Sequence, residues 1–269
     1  MSDQHPAQIL KSHICVILFD VRGGANEAPD AVWSRLKVFV NAYLSKNRRS
    51  FAAIVLYGTD GVQVVYPPTQ QHQRKGKHGV SKEVAYVDWT TLSWPVRLKE
   101  INVQMNLFPE HFPASTSGSP ATISAALSIG LSIANKFLDG QKLKGVRGSA
   151  RILMVHRNST YLAKEYLAMM NCIFCAEKLR IPIDACALTY DSSEGGSVEH
   201  GGSNKLETLT QAASITNGLY FELGASQYDS FLQWLFTIFF AHTERRDLVC
   251  LHFFLKIGSH QMPQRFPAA

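Results

Sequence analysis

The chain has 269 residues, long for one domain but within reach of a doubly wound α/β core carrying insertions. Hydrophobic residues make up 46% and charged residues 18%, enough apolar matter for a sheet covered on both faces, which excludes a globally disordered chain. The 27 Lys and Arg against 21 Asp and Glu leave a formal +6, a mild excess that suits an acidic partner or a nearby nucleic acid and is too diffuse to single out either.

The first strong element is His13 to Asp20, a continuous apolar run rich in β-branched residues, as expected of a strand buried on both faces. A turn at Arg22-Gly23-Gly24 follows. From Asp30 the period changes: Trp33, Leu36, Val40 and Leu44 fall at helical spacing, with Phe39 and Tyr43 beside them. Phe51 to Tyr57 reads as a second buried strand. Gly58 to Gly61 turns it into Val62–Tyr66, an antiparallel edge strand. Residues 67–82, rich in Pro, Gln, Gly, Lys and His, read as a flexible insert. Residues 83–113 give a mixed signal, with a weak helical stretch over Val96–Met105.

Ser119-Pro120 places an N-cap and a first-turn proline before an alanine-rich helix over about Ala121–Leu138. A Gly/Lys-rich loop spans 139–149. Arg151–His156 is a buried strand, Asn158-Ser159 caps a helix ending near Arg180, and Ile181–Leu188 is the next strand. Residues 190–203 form a second flexible insert, rich in Gly and Ser. Lys205–Thr216 is a helix stopped by Asn217-Gly218, Leu219–Leu223 a short strand, and Ser226-x-x-Asp229 a capping box for a last helix. Phe231, Leu235, Ile238 and Phe239 share one face of that helix.

This order predicts a Rossmann-like, doubly wound, mostly parallel six-stranded sheet with one antiparallel edge strand and helices on both faces, in one domain over 10–247 with a tail at 248–269. Five cysteines without a regular framework read as reduced intracellular thiols. No basic region followed by an apolar stretch opens the chain, and no run approaches about 18 apolar residues, so neither secretion nor membrane insertion is indicated.

The later blocks are the most specific. Ser149-Ala-Arg-Ile-Leu-Met-Val, Met169-Met-Asn-Cys-Ile-Phe-Cys-Ala, Ile183-Asp-Ala-Cys-Ala-Leu and Gln211-Ala-Ala-Ser-Ile-Thr-Asn-Gly-Leu-Tyr resemble the smaller von Willebrand A-domain subunits of general transcription factor TFIIH. That resemblance implies a von Willebrand factor A fold and a nuclear, non-enzymatic scaffold in RNA polymerase II transcription initiation and nucleotide excision repair. Its implied partners are the larger A-domain subunit, held through that partner's RING-like zinc domain, and the other TFIIH core subunits. Members also carry a cysteine-rich zinc module after the A domain. Here Cys250, His252 and His260 stand beyond the last predicted helix, too few for four zinc ligands.

Adhesion-type A domains hold a divalent cation on Asp-x-Ser-x-Ser at the end of the first strand, a Thr before the middle helix and an Asp after the fourth strand, a set of hard oxygen ligands. The corresponding residues are Asp20, Arg22, Gly24, Ser119 and Asn158, which leaves one carboxylate and introduces a guanidinium. No metal or cofactor is expected. Asp20 is expected to accept hydrogen bonds from its own loop or to pair with Arg22.

Cys172-x-x-Cys175 lies mid-helix and reads as two buried small hydrophobes. His72, His78, His111, His156 and His200 are scattered, and no nucleophile elbow or phosphate loop is present. Arg48-Arg49, Arg74 to Lys77 and Lys142 to Arg147 are basic but lack interleaved aromatics, so they read as solvated loops and DNA contact as weak or indirect. Phe231, Trp234, Leu235, Phe236, Phe239 and Phe240 exceed one helical stripe; core packing explains most of them, and Phe231, Trp234, Phe236 and Phe240 are the candidates for a partner surface. A metal-dependent ligand-binding A domain outside TFIIH is the alternative reading; a nucleotide-binding enzyme shares the architecture without the residues.

Overall fold

A computed structural model describes residues 11–22, 29–58, 61–76, 79–86, 89–107, 123–157, 165–188 and 207–240. Its centre is β1 (Lys11–Asp20), paired in parallel on one side with β2 (Ser50–Gly58) and on the other with β6 (Arg147–His156). Every residue of β2 is buried, as are the last seven of β1, so a mixed polar strand could not occupy this place. Beyond β2 lies β3 (Gly61–Tyr66), antiparallel; beyond β6 lie β7 (Ile183–Leu188) and β8 (Tyr220–Leu223), both parallel. The six-stranded order is β3-β2-β1-β6-β7-β8, the predicted sheet with its one antiparallel edge.

Pleating assigns the helices to faces. Phe19 of β1 meets Trp33 of α1 (Pro29–Lys46), with ring centroids 5.2 Å apart. Its neighbours Val16 and Leu18 meet α3 (Ile123–Leu143) on the opposite face, where a Cβ on Gly130 would lie 3.0 Å from a Leu18 methyl. On the α1 side, α2 (Trp94–Asn106) runs antiparallel to it: Trp33 Nε1 donates to the Met105 carbonyl at 3.0 Å, and Trp94 Nε1 to that of Leu44 at 2.8 Å. On the other side α4 (Tyr166–Lys178) packs beside α3, and α5 (Glu207–Ile215) beside α4.

Four elements differ from expectation. The 67–82 insert contains β4 (Thr69–Gly76), paired with β5 (Gly79–Tyr86) as a separate two-stranded ribbon. Its sequence has no apolar period to read, whereas ribbon pairing is a property of the backbone. The mixed stretch holds α2, with Pro95 in its first turn. Helix α3 runs on to Leu143, because the chain turns later, at Gly145 with φ 65°. Last, Asp229 makes no capping box: its carboxylate binds Arg35 Nη2 of α1 at 2.8 Å, a 3-10 turn spans Ala225–Ser230, and helix begins only at Phe231. The predicted stop after α5 is present, with Asn217 left-handed at φ 56° and Gly218 N–H closing on the Ala213 carbonyl at 2.8 Å. The insert at 190–203 and the tail at 248–269 lie outside the described residues.

Candidate functional site

The first strand delivers Asp20 to the C-terminal edge of the sheet with its side chain fully buried. Burying a carboxylate is costly unless cations and donors replace its water. Arg22, two residues on, folds back over it: Nε donates to Oδ1 at 2.9 Å and Nη2 to Oδ2 at 2.8 Å. The Arg22 backbone N–H adds a 3.0 Å bond to Oδ1, and the Arg157 backbone N–H a 3.4 Å bond to Oδ2. This is a guanidinium–carboxylate fork, the geometry that lets arginine satisfy both oxygens at once.

Two further strands complete the site. Asp20 is in register with Tyr57 of β2, and Phe19 with Val155 of β6, so the ends of three adjacent strands meet. His156 Nδ1 lies 3.1 Å from Asp20 Oδ2 and 3.1 Å from the Tyr57 hydroxyl, the two rings stacked at 9°. A proton on Nδ1 donates to the carboxylate, with the phenol oxygen as a second acceptor. Burial by itself would raise the Asp20 pKa; the hydrogen bonds from His156 and Arg22, with their charges, outweigh it and hold the carboxyl at about 2 against an ordinary 3.8. Burial opposes the charge on Arg22, yet the hydrogen bonds it donates to Asp20, with the Asp20 charge, prevail and its pKa is raised. Burial, reinforced by the Asp20 charge, pushes the Tyr57 phenol well up, so it stays neutral.

Of the adhesion-type positions, Asp20 and Arg22 come together here, while Gly24, Ser119 and Asn158 lie outside the described residues. The described part of the set fits a divalent cation poorly, since both oxygens of its carboxylate already face a guanidinium. Among the described residues no three His, Cys, Asp or Glu side chains are grouped as a metal site requires. Sequence reasoning missed His156 and Tyr57. Each closes the apolar run of a buried strand, as Asp20 does, but only the strand order and register bring them to it.

The aromatic candidates need correction. Phe231 and Trp234 are buried, Trp234 against Phe221 at 4.2 Å between centroids, so they belong to the core. Phe236 and Phe240 are half-buried, each set edge-on against Phe39 of α1 at 6.1 and 6.4 Å. The reason is that the last helical segment closes the sheet beside α1, so its extra aromatic breadth fills a seam between elements. The cysteine pair also differs: Cys172 is half-buried and Cys175 exposed, because α4 turns Met169, Ile173 and Ala176 to the core. Of the basic stretches, Arg74 and Lys75 lie in β4, while Arg48-Arg49 and Lys142 to Arg147 stand at the opposite edge of the sheet from Asp20.

Among solved structures, the N-terminal domain of TFIIH p34 aligns with a TM-score of 0.57 at 21% identity, covering 83% of this chain and 95% of that domain, a likeness of fold. The subunit TFB4 of general transcription and DNA repair factor IIH from Yarrowia lipolytica is 28% identical over 69% of the chain, and that from Eremothecium gossypii 27% over 79%. General transcription factor IIH subunit 3 of Dictyostelium discoideum is 25% identical over 78%. The chain spans only 54%, 60% and 52% of those three relatives. The model of the family described as transcription factor Tfb4 matches residues 25–256, from just beyond Arg22 through the last described helix, and with this six-stranded A-type sheet it establishes that the chain belongs to the Tfb4 family of TFIIH subunits.

Proposed function

We propose that the chain is a non-catalytic structural subunit of the TFIIH core, working in the nucleus in RNA polymerase II transcription initiation and nucleotide excision repair. In this reading it binds the larger A-domain subunit through that partner's RING-like zinc domain. The relatives are named as subunits of a transcription and DNA repair factor, and none of the names given above is that of an enzyme.

The observation that carries the reading is the Asp20–Arg22 fork. An adhesion-type domain engages its ligand through an exchangeable cation on this edge. Arg22 is instead a covalently tethered cation that stays protonated at any physiological pH. With the backbone N–H groups of Arg22 and Arg157 and the His156 contact, its bonds engage both Asp20 oxygens, and in this reading partner binding rests on protein surface alone. Affinity capture from nuclear extract followed by mass spectrometry tests the assignment: recovery of TFIIH core subunits is expected, and their absence contradicts it. A titration showing micromolar Mg²⁺ or Mn²⁺ binding that disappears in Asp20→Ala would instead establish the metal-dependent alternative.

A further inference from the structure

The end of the sheet opposite Asp20 collects basic residues that are far apart in sequence. Strands β1, β2, β6 and β7 are mutually parallel, so all four begin at this edge, with Lys11 in register with Arg147, His13 with Ser50 and Ile152 with Ile183. The turns that lead into β2, β6 and β7, residues 46–50, 139–147 and 177–181, together hold eight Lys or Arg and two acids, Asp139 and Glu177. The whole chain has 27 against 21, so the excess is concentrated here.

Some of this charge has a local explanation. Lys46, Lys142 and Lys178 lie in the last turns of α1, α3 and α4, where a cation complements the helix dipole. Arg48, Arg49, Lys144, Arg147 and Arg180 lie beyond those helices, and all but the half-buried Arg49 are exposed. Asp139 is engaged by Lys142 at 3.1 Å, and Lys144 is steadied by the Thr90 hydroxyl at 3.0 Å. Along the edge in sheet order stand Arg49, Lys11, Arg147 and Arg180, one for each of β2, β1, β6 and β7. With neighbouring strands about 4.8 Å apart, the row spans about 14 Å.

We propose that this edge is a binding surface for the phosphate backbone of duplex nucleic acid. A row of cations along one edge suits a rod with one charge about every 1.7 Å of its axis better than it suits a folded acidic protein. The three turns contain no aromatic residue on which a base could stack, so the contact is with phosphates and carries no sequence preference. The edge is at the far end of the sheet from Asp20, so its charge is independent of the scaffold role proposed above. The weak or indirect DNA contact expected from separate basic loops thus becomes one surface once the strands are placed side by side.

Fluorescence anisotropy of the full chain with a labelled DNA duplex over a salt series tests this. The wild type is expected to bind at low salt, with the logarithm of its affinity falling by about 4 for each tenfold rise in salt. The variant Lys11→Gln/Arg147→Gln/Arg180→Gln, which removes three of the four cations of the row, should bind roughly tenfold or more weakly, with the slope reduced by about 3. Lys37→Gln/Lys99→Gln/Lys136→Gln has the same net charge with its changes away from this edge and should bind as wild type does. Circular dichroism melting verifies that both variants are folded. Failure of the wild type to bind, equal loss in the two variants, or tighter binding to poly-glutamate than to the duplex would overturn the proposal.

Discussion

Replacing Arg22 with Met keeps the apolar stem of the side chain and removes its guanidinium. Asp20 would remain buried with its backbone donors from residues 22 and 157 and the contact from His156. Breaking a buried ion pair from one side costs about 3–5 kcal/mol, because the surviving charge is left without compensation. The three remaining contacts place this case at the lower end, about 3 kcal/mol. For a domain of this size about 1 kcal/mol moves Tm by about 2–4 °C, so Arg22→Met should melt about 6–12 °C below wild type. Adding Asp20→Asn removes the stranded charge and should recover much of the loss, a non-additivity that identifies the pair. Thermal unfolding followed by circular dichroism at neutral pH reads both values. An Arg22→Met protein melting within about 2 °C of wild type would refute the claim that the guanidinium compensates the carboxylate.

Acid should expose the same pair. The folded Asp20 carboxyl titrates at about 2 and the unfolded one near 3.8, so its contribution is fully present above the upper value and is lost as pH falls through the lower. Urea midpoints across that window should register a loss of about 2 kcal/mol from this group, and the loss should be smaller in Arg22→Met. Gly218→Ala should prevent folding or cost more than about 4 kcal/mol, since its Cβ would sit 1.9 Å from the Ile183 carbonyl oxygen; recovery of soluble, wild-type-stable protein would contradict that packing. Trp234→Ala should lower stability by about 3–5 kcal/mol, as for other large core truncations, and a melting curve unchanged from wild type would return Trp234 to the surface.

The parts of this fold legible in sequence are those whose environment leaves a period. Strands β1, β2, β6 and β7 are buried on both faces and read as apolar runs, broken in β7 only by the buried Asp184; α1 shows its stripe through Trp33, Leu36, Val40 and Leu44. The β4–β5 ribbon lacks such a period, and α2 is shortened to a few inward residues, Arg97, Ile101 and Met105, one of them charged. Arg97 is itself buried by donating to the carbonyls of Arg48 and Ser50 over the Phe51 ring, an arrangement hydropathy counts as surface. At the site, the pairing of Asp20 with Arg22 is local and readable from a two-residue spacing. His156 and Tyr57 depend on strand order and register, which periodicity does not contain. The basic edge is hidden for the same reason, since its residues become neighbours only when parallel strands align their starts.

The central claim is that this chain binds a protein partner without a cation, Arg22 having taken that place. Isothermal titration of the chain with the RING-like zinc domain of the larger TFIIH A-domain subunit, in buffer freed of Mg²⁺ and Mn²⁺ and again with Mg²⁺ added, tests it most directly. The same affinity under both conditions is predicted. Binding that appears only when Mg²⁺ is added, or no binding in either buffer, would contradict it.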